Sequence, residues 1–173
     1  MRTSLVLTVL GPDHPGLVEE LSEIIGAYQG NWMESRMAQL AGKFAGILRI
    51  SVPADQEQAL IDALSAHDIS GLRVMVERSQ DLEQVEHRNL DLELLGHDRP
   101  GIIHDITHTL VDLGINVEEL NTECYDASMS GETLFRARAR LQVPLSVSTD
   151  ELREVLEGLA HHLMVDIHLD ESA

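Results

Sequence analysis

A single cysteine, Cys124, rules out any disulfide within the chain of 173 residues. Basic residues are also scarce: 12 Lys and Arg stand against 30 Asp and Glu, for a net charge of −18. A protein that grips DNA or RNA needs a basic footprint, so direct nucleic-acid binding is disfavoured, as is an anionic membrane surface. Influence on transcription through another protein is untouched by this. So much acid reads either as a solvated surface or as a match for a basic partner. No stretch approaches the ~18 apolar residues of a membrane span. The start, MRTSLVLTVLGPDHPG, carries a short apolar run that ends in a turn, a poor signal peptide. With one thiol and no export signal, the expectation is a cytoplasmic protein. Catalytic signatures are missing as well. There is no nucleophile elbow, no P-loop and no dinucleotide fingerprint, so neither a catalytic residue nor a cofactor is expected.

What the chain does have is a repeat. At an offset of 85, residues 11–31 (GPDHPGLVEELSEIIGAYQGN) align with 96–116 (GHDRPGIIHDITHTLVDLGIN). Gly11, Asp13, Pro15, Gly16 and Asn31 meet Gly96, Asp98, Pro100, Gly101 and Asn116. Leu17, Val18, Leu21, Ile25 and Tyr28 meet Ile102, Ile103, Ile106, Leu110 and Leu113, a spacing that predicts one apolar helix face. Alternating Leu5, Leu7, Val9 and Leu90, Leu92, Leu94 predict a strand before each turn. Further strands are expected at 44–53 and 135–144, each ended by a proline. There the offset has grown to 91, which puts six extra residues in DASMSG, 126–131. Second helices are expected near 54–67 and 149–162, the latter capped by Thr149 or Asp150. Last strands follow at 72–78 and 163–169.

Each half therefore reads β-α-β-β-α-β, an α+β ferredoxin-like domain with an antiparallel sheet and helices on one face. The expected division is 1–79, a polar linker 80–88, and 89–173. On the open sheet face of the second half, Asp91 and Glu93 face Arg136, Arg138 and Arg140 on a neighbouring strand. The same face of the first half carries Val6, Thr8, Ala45 and Ile47, and is expected to be covered by the other domain or by another chain. A domain of ~80 residues is marginal alone, so pairing is expected.

The repeated G-x-D-x-P-G carries the chemistry. Gly11 and Gly96 would let the chain leave the strand, Pro15 and Pro100 would open the helix, and Gly16 and Gly101 would keep its first turn bare. Free N–H groups and the helix dipole suit a carboxylate, and Asp13 or Asp98 suits an ammonium. Together they suit a zwitterion. The same residues also make a well-built strand-to-helix turn, and both readings stand on sequence alone. Elsewhere, His104 and His108 share a helix face, a spacing that can hold a metal. Their repeat equivalents are Glu19 and Glu23 and they lie off the apolar stripe, so they read as solvent-facing and no metal site is expected. His161 and His162 end a helix, where His⁺ suits the dipole. Cys124 reads as a small buried hydrophobe.

The unit with G-x-D-x-P-G at its first turn and an Asn opening its second strand resembles the ACT domain. Two such units, with NWMESRMAQLAGKFAGILRISVP at 31–53, resemble the glycine cleavage system transcriptional repressor family. The resemblance implies side-by-side association into a homo-oligomer, with an amino acid, glycine most plausibly, bound at a domain interface. It assigns that ligand to Asp13, His14, Gly16 and Asn31, and to Asp98, Arg99, Gly101 and Asn116. It implies no enzymatic activity and a DNA-binding transcriptional activator as the protein partner. Control of a metabolic enzyme by the same kind of module is the alternative. His14 and Arg99 differ at equivalent positions, so the two turns need not bind alike.

Overall fold

The computed structural model describes residues 1–79, 86–127 and 131–171. The chain divides into two compact units, Met1–Leu82 and Glu83–Ala173. Most of the expected linker, 80–85, and part of the expected insertion, 128–130, lie outside the described residues.

The first unit runs β1 (Arg2–Pro12), α1 (Leu17–Ala27), β2 (Asn31–Leu40), β3 (Lys43–Pro53), α2 (Glu57–Ala66) and β4 (Arg73–Arg78). The second runs β5 (His87–His97), α3 (Ile102–Asp112), β6 (Asn116–Asp126), β7 (Thr133–Pro144), α4 (Thr149–Leu163) and β8 (Val165–Glu171). Strand order is β2-β3-β1-β4 in one sheet and β6-β7-β5-β8 in the other. All neighbours are antiparallel. Each unit is thus a ferredoxin-like βαββαβ domain.

Alternation builds both cores. Leu5, Leu7 and Val9 of β1 and Leu48, Ile50 and Val52 of β3 point inward, where Leu17, Leu21 and Ile25 of α1 and Leu60 and Leu64 of α2 cover them. In the second unit Leu90, Leu92 and Leu94 meet Ala139, Leu141 and Val143, under Ile102, Ile106 and Leu110 of α3 and Leu152 and Leu156 of α4. Each leucine so buried contributes about 1.5–3 kcal/mol. Val18, expected on the apolar face, is instead 46% exposed. The β2–β3 hairpin closes through Ala41 and Gly42, whose φ values of 49° and 76° fit a two-residue turn. The cap of α4 is Ser148, whose hydroxyl accepts from the Glu151 N–H at 3.1 Å, not Thr149 or Asp150. Those two are already inside the helix.

The open sheet faces differ as expected. In the second unit Arg140 lies 3.5 Å from Asp91, Arg138 lies 3.6 Å from Glu93, and Arg136 lies 3.0 Å from Glu123. These solvent-exposed pairs are each worth about 0–1 kcal/mol. In the first unit Ile47 and Met75 of the same face are 51% and 60% exposed. Behind that sheet, the buried Glu57 at the start of α2 accepts from Arg78 of β4. The Arg78 guanidinium holds its carboxyl below the ordinary value.

Candidate functional site

Both repeated turns lie where the first strand of a sheet hands over to a helix. The Asp13 N–H donates to the Gly42 carbonyl at 3.0 Å, and the Asp98 N–H to that of Thr133 at 3.1 Å. Each turn is thereby tied to the neighbouring hairpin. Pro15 and Pro100 do not open the helices. Gly16 and Gly101 are the caps, with φ of 96° and 93°, and α1 and α3 begin one residue later. That left-handed backbone favours glycine, and the proline sits one residue earlier in the turn. No side chain caps either helix, and a Cβ on either glycine would meet nothing within 4 Å. The first N–H groups of both helices are therefore open to a ligand.

Gly11 and Gly96 serve packing, not an unusual backbone angle. Both lie inside strands, and a Cβ on Gly11 would come within 2.9 Å of the Gly71 carbonyl oxygen and the Leu72 Cα. One on Gly96 would come within 2.4 Å of Val165 Cγ1.

The residues between the fixed ones divide the two turns. His14 places Nδ1 3.0 Å from the Pro15 carbonyl and Nε2 3.0 Å from that of Ser70. Carbonyls only accept, so a neutral ring can satisfy one of them and an imidazolium both. These two carbonyls raise the His14 pKa above its ordinary 6.5, and Glu20 and Asp13 add to the effect. The Ser70 hydroxyl donates to Glu20 Oε2 at 2.8 Å, closing a clasp between the first turn and residues 68–71. Arg99 instead lies 3.7 Å from Asp105 in the first turn of α3. A cleft of about 480 Å³ opens between the end of β5, α4 and β8, lined by Gly96, His97, His161, Met164 and Val165 among others; Asp98, Arg99 and Gly101 do not line it.

Because the folded pKa of His14 is raised, its contribution to stability is complete below the unfolded value. It is lost as pH rises through the folded value. The imidazole of His14 is expected to titrate above 6.5 by NMR. His14→Ala is expected to lower the unfolding midpoint more at about pH 5.5 than at about pH 8.5. A midpoint below the ordinary value would contradict the clasp.

The asparagines are placed elsewhere. Asn31 is level with Ser51, which pairs with Ser4 near the start of β1, whereas Pro12 pairs with Lys43 at its end. Eight residues of strand separate those levels, about 27 Å. Its amide donates to Met33 Sδ at 3.1 Å. Asn116 is likewise level with Gln142, to whose side chain it donates at 3.0 Å, and with Asn89 at the far end of β5 from Asp98. So the structure groups Asp13, His14 and Gly16, and separately Asp98, Arg99 and Gly101. It does not bring Asn31 or Asn116 to the turn of its own unit.

Cys124 is exposed on the edge strand β6, not buried. Cys124 pairs with Phe135, and Phe135 with Gly96, so the thiol lies beside the second turn. Partial desolvation first, and then the Asp98 carboxylate, push its pKa up from the ordinary 9.0. The thiol is thus a neighbour of the candidate site and is held protonated, the opposite of what a nucleophile needs. His104 and His108 stack with ring centroids 6.0 Å apart. Among the described residues no group of three His, Cys, Asp or Glu side chains could hold a metal. Nor is any described helix long and apolar enough to cross a membrane.

Residues 3–77 match the ACT domain family. An unknown protein from Galdieria sulphuraria has a similar structure, 29% identical, with all of both chains covered and a TM-score of 0.86. A structure described as a "putative glycine cleavage system transcriptional repressor" is 20% identical, covering 98% of this chain and 97% of its own, with a TM-score of 0.69. That second likeness is one of fold. No curated protein sequence matches the chain.

Proposed function

We propose, from the premise that this chain is a tandem of ACT domains, that it is a non-enzymatic, amino-acid-responsive regulator. Its ligand is a small amino acid, glycine. Its action is repression of glycine cleavage genes through a DNA-binding activator rather than through DNA. The observation that supports the ligand is the second turn. There uncapped helix N–H groups, a bare Gly101 and the exposed Asp98 stand together. A ligand carboxylate would take the N–H groups and its ammonium the Asp98 carboxylate. The charge of −18 fits a protein that leaves DNA to its partner.

The distance between the turns and the asparagines sets a condition on the pocket. A ligand touching both must take the turn of one domain and the Asn of another, in the same chain or in a partner copy. Where the second domain comes from a partner copy, ligand and oligomer are linked, since a pocket completed by association is filled best in the associated form. Work in the cytoplasm, where glycine and such an activator would meet the protein, belongs to the same reading.

The mode of action is tested with immobilised full-length protein, probed with and without glycine. Glycine-dependent retention of a DNA-binding activator is the expected result. Retention of a metabolic enzyme would favour the alternative, control of that enzyme. Retardation of DNA by the purified protein alone would overturn the division of labour.

A further inference from the structure

We infer that the open face of the first sheet is the contact between two copies of this chain. Four residues form a row across that face: Met75 of β4 pairs with Thr8 of β1, Thr8 with Ile47 of β3, and Ile47 with Arg36 of β2. The same row in the second unit reads His168, Glu93, Arg138 and Asn121. The fold is identical, so the exposed Met75 and Ile47 are not something the fold requires. In the first unit Met75, Ile47 and the flanking Leu10 are 60%, 51% and 41% exposed.

A second copy suits this face because the part formed by β4, β1 and β3 complements itself. Place a two-fold axis along the row, across the strands. Met75, Thr8 and Ile47 then each meet their own counterpart, and so does Arg36 at the β2 end of the row, a like-charge pair that leaves the contact centred on β4, β1 and β3. Leu10 lies over Val6 of the partner copy, since the two flank Thr8 on β1. On β4 the order is Arg73, Met75, Glu77, so rotation brings Arg73 over the partner's Glu77 and Glu77 over the partner's Arg73. Neither has an ion-pair partner among the described residues. An isologous contact needs this kind of symmetric match. The area is adequate too. β1 and β3 are each 11 residues long. With β2 of 10 residues and β4 of 6, four strands ~4.8 Å apart cover roughly 500–650 Å² per copy, at the low end of specific interfaces. The charged face of the second sheet, already paired within itself, offers no such apolar centre.

The test is sedimentation equilibrium of the full-length chain and three variants. The wild type is expected to be a dimer. Arg73→Glu sets Glu against Glu, Glu77→Arg sets Arg against Arg, and each is expected to raise the dissociation constant about tenfold or more. The double variant R73E/E77R restores opposite charges and is expected to return most of the affinity. All four positions of the pair are exposed, so circular dichroism should be unchanged. A wild type that stays monomeric would overturn the inference. So would a dimer indifferent to both single reversals, or single losses that the double variant fails to repair.

Discussion

Asp98→Ala is expected to weaken glycine binding about tenfold to a hundredfold, measured by calorimetric titration of the full-length chain. A hydrogen bond to a charged group contributes about 1.5–3 kcal/mol, and 1.4 kcal/mol is about tenfold in affinity. Asp13→Ala is expected to have the smaller effect. In the first turn of α1, Glu19 and Glu20 already answer the helix dipole, and His14 is engaged by two backbone carbonyls. At the start of α3 there is a single carboxylate, Asp105, and Arg99 stands beside it. Both aspartates are exposed, so neither change should move the stability of the free protein by more than about 0.5 kcal/mol. Unchanged affinity in both single variants and in the double variant would remove the zwitterion reading of the turns.

Leu94→Ala is expected to cost about 2–5 kcal/mol, the range for emptying a fully buried leucine site. Leu94 is 0% exposed and belongs to the core of the second unit, while Leu7, also 0% exposed, belongs to that of the first. The two cores are separate clusters. Leu94→Ala should therefore lower hydrogen-exchange protection across 86–171 and leave 1–79 near wild type, and Leu7→Ala should do the reverse. Equal loss over the whole chain from either variant would show that the units unfold as one.

Periodicity and the repeat made the fold readable. Leu5, Leu7 and Val9 alternate, Leu17, Leu21 and Ile25 keep a helical face, and Pro53 and Pro144 stop their strands. Local chemistry was less legible where two conformations compete for one residue type. Pro15 suits a first helical position, but Gly16, in the left-handed region, must precede the helix and so displaces it. What sequence could not supply was long-range placement. His14 meets the Ser70 carbonyl 56 residues away, and no spacing rule connects them. Cys124 reaches the second turn only through the ladder of β6, β7 and β5, a relation the extra residues near 126–131 hide. The asparagines were misleading for a related reason. Strands β1 and β2 both pair antiparallel to β3, so the start of β2 lies beside the start of β1. The turn that follows β1 is at the other end.

The central claim is that a repeated turn holds an amino acid, and thermal unfolding of the purified protein against a panel of free amino acids tests it most directly. A ligand at ~100 times its dissociation constant adds about 2.7 kcal/mol per site, which moves the midpoint of a domain this size by about 10 °C or more. The account predicts a selective shift with glycine, and one that Asp98→Ala diminishes. An unmoved midpoint with every amino acid would contradict it and leave both turns as architecture.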